Sequence, residues 1–134
     1  MNSELILKSL DLVSERCDDP TPLVYQRLFE RYPEMEPLFI LDKSGTARGH
    51  MLSEAIESLI DFVGPRQYSV SLLHSEHINH GNMGVPSSIF TTFFENMMES
   101  FKSILGEAWT AETDKAWREV LASIEAAMQQ PRPH

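Results

Sequence analysis

The chain has 134 residues, enough for one domain, 1–134, with a core of its own. Twenty acidic residues against eleven basic ones leave a net charge of −9, which argues against nucleic acid and against an anionic membrane surface as partners. With 42% hydrophobic residues the chain has the apolar content of a folded domain, and its one cysteine, Cys17, excludes an internal disulfide framework or a CxxC metal or redox site. A single thiol fits a reducing compartment. No segment approaches the ~18 apolar residues of a membrane span. Glu4, Lys8 and Asp11 interrupt the first apolar stretch, unlike a signal peptide. Cytoplasmic location is the expectation.

The spacing predicts helices throughout and no strand. Leu5, Ile6, Leu10 and Val13 recur at helical intervals over Ser3 to Arg16. Asp18, Asp19, Pro20 and Pro22 close that helix and open the next, with Asp19 or Thr21 as cap. The second helix, Thr21 to Tyr32, carries Val24, Tyr25, Leu28, Phe29 and Tyr32 on one face. Pro33 and Pro37 turn the segment PEMEPLF into a corner of about one helical turn. A polar loop, LDKSGTARG, leads into a helix from Thr46 to Val63 with the stripe Met51, Leu52, Ala55, Ile56, Leu59 and Ile60; Gly64-Pro65 ends it. A shorter helix over Gln67 to Asn79, the loop GNMGVP, and a long helix from Pro86 to Leu105 follow. Gly106 breaks the chain again. Thr110 caps a last helix, with Glu112 and Asp114 in its first turn and Trp117, Val120, Leu121, Ile124 and Met128 on its buried face.

Histidines are the first residues able to carry chemistry. His50, His74, His77 and His80 lie within 31 positions, and the last three fall at i, i+3 and i+6. Three readings stand beside each other: a metal site of imidazoles with Glu76 nearby, one histidine holding a haem iron, or a polar helix face that binds nothing. A three-histidine site is disfavoured because i+6 spans more than one turn. Tyr25 sits among apolar residues, so its hydroxyl wants a partner, either a core carbonyl or a ligand. Phe90, Phe93, Phe94 and Phe101 stripe the long helix, with Phe29 and Phe39 elsewhere; such stripes build a core or the dry walls of a cofactor pocket. There is no GxSxG elbow and no glycine-rich phosphate loop.

Three stretches together resemble the globin family in its single-domain bacterial branch. One is VYQRLFERYPEMEPLF, residues 24 to 39; another is ILGEAWTAETDKAWREVL, residues 104 to 121; the third is GVPSSIF, residues 84 to 90. The resemblance covers nearly the whole chain. It implies an all-α globin fold of six to seven helices, packed helix on helix around a haem pocket, and haem b as the cofactor. It matches Tyr25 to the distal tyrosine and Phe39 to the phenylalanine that packs on the haem face. His77 is the favoured proximal ligand, because Leu73 precedes it by four and HINHG is similar to the family's His-x-x-Tyr-Gly, with His80 in place of the Tyr. His80 is the alternative: it keeps the ungapped distance to Gly84, Val85 and Phe90 but puts the charge of Glu76 where the pattern has Leu. The family places its distal residue about 29 positions before the proximal histidine, which gives Arg48, with Leu52 one turn later facing the iron. His50 lies two residues off that register and reaches the pocket only if the loop slips.

The implied function is binding of O2 or another diatomic ligand, CO or NO, for storage, sensing or NO/O2 chemistry. Tyr25 and Arg48 would be hydrogen-bond donors to the ligand. No flavin or nicotinamide domain fits in 134 residues, so enzymatic turnover would need a separate reductase, and enzyme status stays open. The alternative is a globin-fold interaction or sensory module that has lost haem. Either a monomer or a homodimer is compatible with the sequence.

Overall fold

The structure, a computed structural model, describes residues 2–82 and 87–129, without the side chains of residues 77, 81, 82, 87–91 and 129. Six α-helices make up the described chain: α1 (Ser3–Arg16), α2 (Thr21–Arg31), α3 (Thr46–Val63), α4 (Ser69–Asn82), α5 (Ser87–Leu105) and α6 (Ala111–Gln129). Two 3-10 segments, Pro33–Phe39 and Gly106–Ala108, turn the corners, and the described residues contain no strand.

Local chemistry sets most of the helix ends. Asn2 Oδ1 accepts the Leu5 N–H at 3.3 Å and starts α1. Asp19 Oδ1 accepts the Thr21 N–H at 3.0 Å, and Pro22 sits in the first turn of α2, where its missing N–H costs nothing. Pro33 stops α2, and the chain continues as the 3-10 corner. Thr110 Oγ1 accepts the Thr113 N–H at 3.0 Å, capping α6 as the sequence predicts.

Two helices are capped from further away. Asp42 lies four residues before α3, and its carboxylate accepts the N–H groups of Ala47 and Arg48 at 3.0 Å each. Gly45, with φ +80°, makes the left-handed turn that brings Asp42 back to the helix end. Asp61, inside α3, does the same for α4: it accepts from the N–H groups of Gln67, Tyr68 and Ser69 at 3.0, 3.1 and 2.8 Å. That bonding holds Gln67 and Tyr68 in the turn, so α4 begins at Ser69 rather than Gln67. It also runs to Asn82, three residues past the expected end, which brings His80 into the helix.

The helices pack on one another, α1 against α5 and α6, α4 against α3, α5 and α6, and α2 against α3, α5 and the 3-10 corner. The main core holds Ile6, Leu52, Leu59, Phe62, Met97, Phe101, Trp117 and Ile124, all buried. Trp117 is locked there: its ring meets Phe101 at 6.0 Å edge-on, and its Nε1–H donates to Ser9 Oγ at 2.8 Å. A second cluster, Tyr25, Leu28 and Met35 with Phe29, Tyr32, Phe39 and Phe93 around it, lies apart from this core. It forms one wall of a cavity.

Candidate functional site

That cavity has a volume of about 510 Å³. The wall from α2 supplies Tyr25 and Leu28; the corner supplies Met35, Leu38 and Phe39. From α3 come Ala47, Met51, Glu54, Ala55 and Ser58, from α4 Leu72, Leu73, Glu76 and His80, and from α5 Phe93 and Phe94. The exposed Leu38 and Leu41 mark its mouth. Most of the lining is apolar, and three aromatic rings, Phe29, Phe39 and Phe93, stand 5.4–5.9 Å from the ring of Tyr25.

Tyr25 is 3% exposed. Burial pushes its hydroxyl far above the ordinary tyrosine range, with Arg48 pulling it down and Asp42 pushing it up, so at neutral pH it is a proton donor. The hydroxyl donates to Met51 Sδ at 3.6 Å, a long contact to a weak acceptor. A buried phenol with so weak a partner is available to a better acceptor in the cavity.

His80 faces Tyr25's cavity from α4. Its Nδ1 lies 2.7 Å from the Glu76 carbonyl oxygen one turn earlier. A carbonyl only accepts, so Nδ1 carries the hydrogen, and in the neutral ring Nε2 carries the lone pair that binds metal ions. The Glu76 carboxylate stands 3.6 Å from the same Nδ1.

The other residues singled out in the sequence separate. Phe39 and Leu73 line the cavity. Residue 77 lies in α4 one turn after Leu73, but the side chain of His77 lies outside the described residues, as does that of Phe90 in α5; Val85 lies outside them altogether. Arg48 is held by Asp42, through Nε to the carboxylate at 3.1 Å and through a terminal nitrogen to the Asp42 carbonyl at 2.9 Å. It borders an outer groove with Gln26, Phe29 and Ile40 instead of the main cavity. Asp42 in turn is held below the usual carboxylate range: burial pushes it up, and the N–H groups of Ala47 and Arg48 and the Arg48 guanidinium outweigh that. Leu52 is buried in the main core, and His50 is exposed on α3. His74 is buried without lining the cavity, and no three His, Cys, Asp or Glu side chains among the described residues cluster as a metal site.

Sequence reasoning missed Met51, Ala55 and Ser58 as the α3 face of the cavity. With Ala47 they form the stripe 47, 51, 55, 58, adjacent to the expected stripe of Arg48 and Leu52. Asp42 was the available signal, since a carboxylate that caps α3 also draws Arg48 outwards.

The chain belongs to the globin family: the family model matches residues 23–128. Among the curated relatives is a flavohemoprotein of Rhizobium meliloti (strain 1021), 26% identical over 110 residues. The match takes in 78% of this chain but 27% of that protein, so the chain spans about a quarter of its relative's length. No solved structure matches. No helix among the described residues is long and apolar enough to cross a membrane.

Proposed function

We propose that the cavity holds haem b, with its iron on His80, and that the protein binds O2, CO or NO on the side of Tyr25. The observation that carries this reading is that, among the described side chains, the imidazole of His80, with Nδ1 tied to the Glu76 carbonyl, lines a mostly apolar cavity shared with a poorly satisfied tyrosine hydroxyl. The lining fits the group: aromatic and aliphatic walls suit a flat apolar ring, and a fixed imidazole tautomer suits an iron ligand. When bound, haem supplies an iron centre for diatomic ligands.

The chain's own residues do the rest. The Glu76 carbonyl fixes the tautomer and orientation of His80. Phe39, Phe93 and Phe94 keep water from the ring. Tyr25 presents a hydroxyl that burial keeps protonated, and it would donate to a diatomic ligand that carries partial negative charge, O2 more than CO. His77 is the other candidate for the iron, and variants of the two histidines separate them. The flavohemoprotein relative combines flavin and haem in its name and is far longer than this chain. By that likeness, NO/O2 chemistry here would draw electrons from a flavin-dependent reductase.

A second reading has an observation in its favour. The charged residues lining the cavity are Asp42, Glu54, Glu76 and His80, with no lysine or arginine among the described ones. The carboxylates of haem would meet an acidic mouth, which favours a globin-fold interaction or sensory module without haem. Adding hemin to the purified protein decides between them. The haem reading expects a sharp Soret band that shifts on dithionite reduction and again with CO. A spectrum like that of free hemin rejects it in favour of the module.

A further inference from the structure

Glu54 and Ser58 take no part in holding haem, yet both line the cavity. Glu54 is exposed on α3 and forms no ion pair among the described residues. Glu76, on α4, keeps its side chain 33% exposed, so it too is partly hydrated. The third carboxylate, Asp42, is engaged by Arg48 and by the N–H groups that it caps. Ser58 lies one turn after Glu54, on the same face of α3, and is 1% exposed. No described residue hydrogen-bonds its hydroxyl. The hydroxyl of Tyr25 has only the thioether of Met51, at 3.6 Å. Buried hydroxyls without a good partner cost free energy that a bound oxygen would recover. The cavity is thus acidic where it is hydrated, apolar along Phe39, Phe93 and Phe94, and short of hydrogen-bond partners where it is buried.

We propose that the cavity takes an amphipathic amine: an ammonium at Glu54 and Glu76, an apolar body against the aromatic rings, and an oxygen at the buried end for Tyr25 and Ser58. The inference rests on the second reading above, a globin-fold module without haem, and names the class of ligand that such a module would sense. A volume of about 510 Å³ lies within the range of drug-sized ligands. At the rim an ammonium keeps part of its hydration and meets two carboxylates, with no lysine or arginine among the described lining residues to compete. An anion of the same shape would meet the same charges as repulsion.

The test is calorimetric titration of the haem-free protein with aminooctanol, octanediol and hydroxyoctanoate, each carrying its two groups at opposite ends of one chain. The three share a body and a hydroxyl end and differ in the charge of the other end. Aminooctanol is expected to bind about tenfold or more tighter than octanediol, and hydroxyoctanoate more weakly than either. Glu54→Gln and Glu76→Gln keep the shape and lose the charge, and each should weaken aminooctanol about two- to fivefold while leaving octanediol unchanged. Glu4→Gln, on α1, which does not line the cavity, is the control for overall charge. Octylamine, which lacks the hydroxyl, should bind more weakly than aminooctanol. Hydroxyoctanoate binding as tightly as aminooctanol overturns the proposal. So does an absence of aminooctanol binding, or a loss in the Glu54 and Glu76 variants no larger than in Glu4→Gln. The underlying reading fails separately: a sharp, reduction-sensitive Soret band in hemin-treated wild type that saturating aminooctanol does not disperse gives the cavity to haem, and the proposal falls with it.

Discussion

Replacing Tyr25 by Phe separates what the hydroxyl does for the fold from what it does for a ligand. In the fold its partner is Met51 Sδ at 3.6 Å, and a thioether is a weak acceptor. A typical net hydrogen bond contributes about 0.5–1.5 kcal/mol, so this one contributes about 0.5 kcal/mol or less. The ring, which does the packing against Phe29, Phe39 and Phe93, is kept. A 134-residue chain unfolds with an entropy near the melting point of about 0.28 kcal/mol/K, so Tm should fall by no more than about 2 °C. Towards O2 the loss is larger. A good hydrogen bond to the ligand is lost, about 1–1.5 kcal/mol, which raises the O2 dissociation rate roughly 5- to 13-fold at 25 °C. The CO dissociation rate should change much less, since CO carries less negative charge. The assay is stopped-flow displacement on the hemin-reconstituted protein, with a thermal melt of the same samples. An unchanged O2 rate would remove Tyr25 from ligand stabilisation. A Tm drop of 10 °C would show that its hydroxyl holds the fold.

Three further outcomes follow from the same bonds. Ser9→Ala leaves the buried indole N–H of Trp117 without its acceptor, at about 1–3 kcal/mol, and should lower Tm by roughly 4–11 °C in a thermal melt. Asp61 is held at about pKa 2 despite burial, by the Ser69 side chain and the N–H groups of Gln67, Ser69 and Tyr68. Its folded pKa lies below the ~3.9 of an unfolded aspartate, so the unfolded chain binds more protons in between. The stability it contributes is full above about pH 4 and is lost as pH falls towards about 2; urea midpoints measured across that window should fall less steeply in Asp61→Asn than in wild type. Because Asp114 is also held at about 2 by the Trp109 indole and Arg118, some acid dependence should persist in that variant. His50→Ala, at an exposed position of α3, should leave the reduced visible spectrum of reconstituted protein unchanged; a change would mean that His50 reaches the sixth site of the iron.

Much of the helical frame is legible in the sequence because its signals are local. Ser3–Arg16 and Thr46–Val63 have the expected bounds, since their ends lie beside Asp18–Pro22 and Gly64-Pro65. Prolines 33 and 37 make the corner for a local reason as well. What a local reading misses is made by longer reach. Asp61 caps α4 from eight residues before its first residue and shifts its start. Asp42 caps α3 and takes Arg48 with it. Periodicity also leaves the face of α3 ambiguous. Ala47, Met51 and Ala55 form one apolar stripe, and Leu52, Ile56 and Leu59 form another beside it. Either stripe suits a core or a dry cavity, and only packing against the rest of the chain turns Leu52 to the core and Met51 to Tyr25. Tyr25, Phe39 and Leu73 were recoverable from their neighbours in sequence, and all three line the cavity.

The most direct test of the account is the absorption spectrum of hemin-reconstituted His80→Gly, measured beside His77→Gly with and without added imidazole. The account predicts that His80→Gly loses the wild-type Soret band and regains it with imidazole, while His77→Gly keeps it throughout. The reverse pattern would place the iron on His77, and a wild-type spectrum like that of free hemin would contradict haem binding itself.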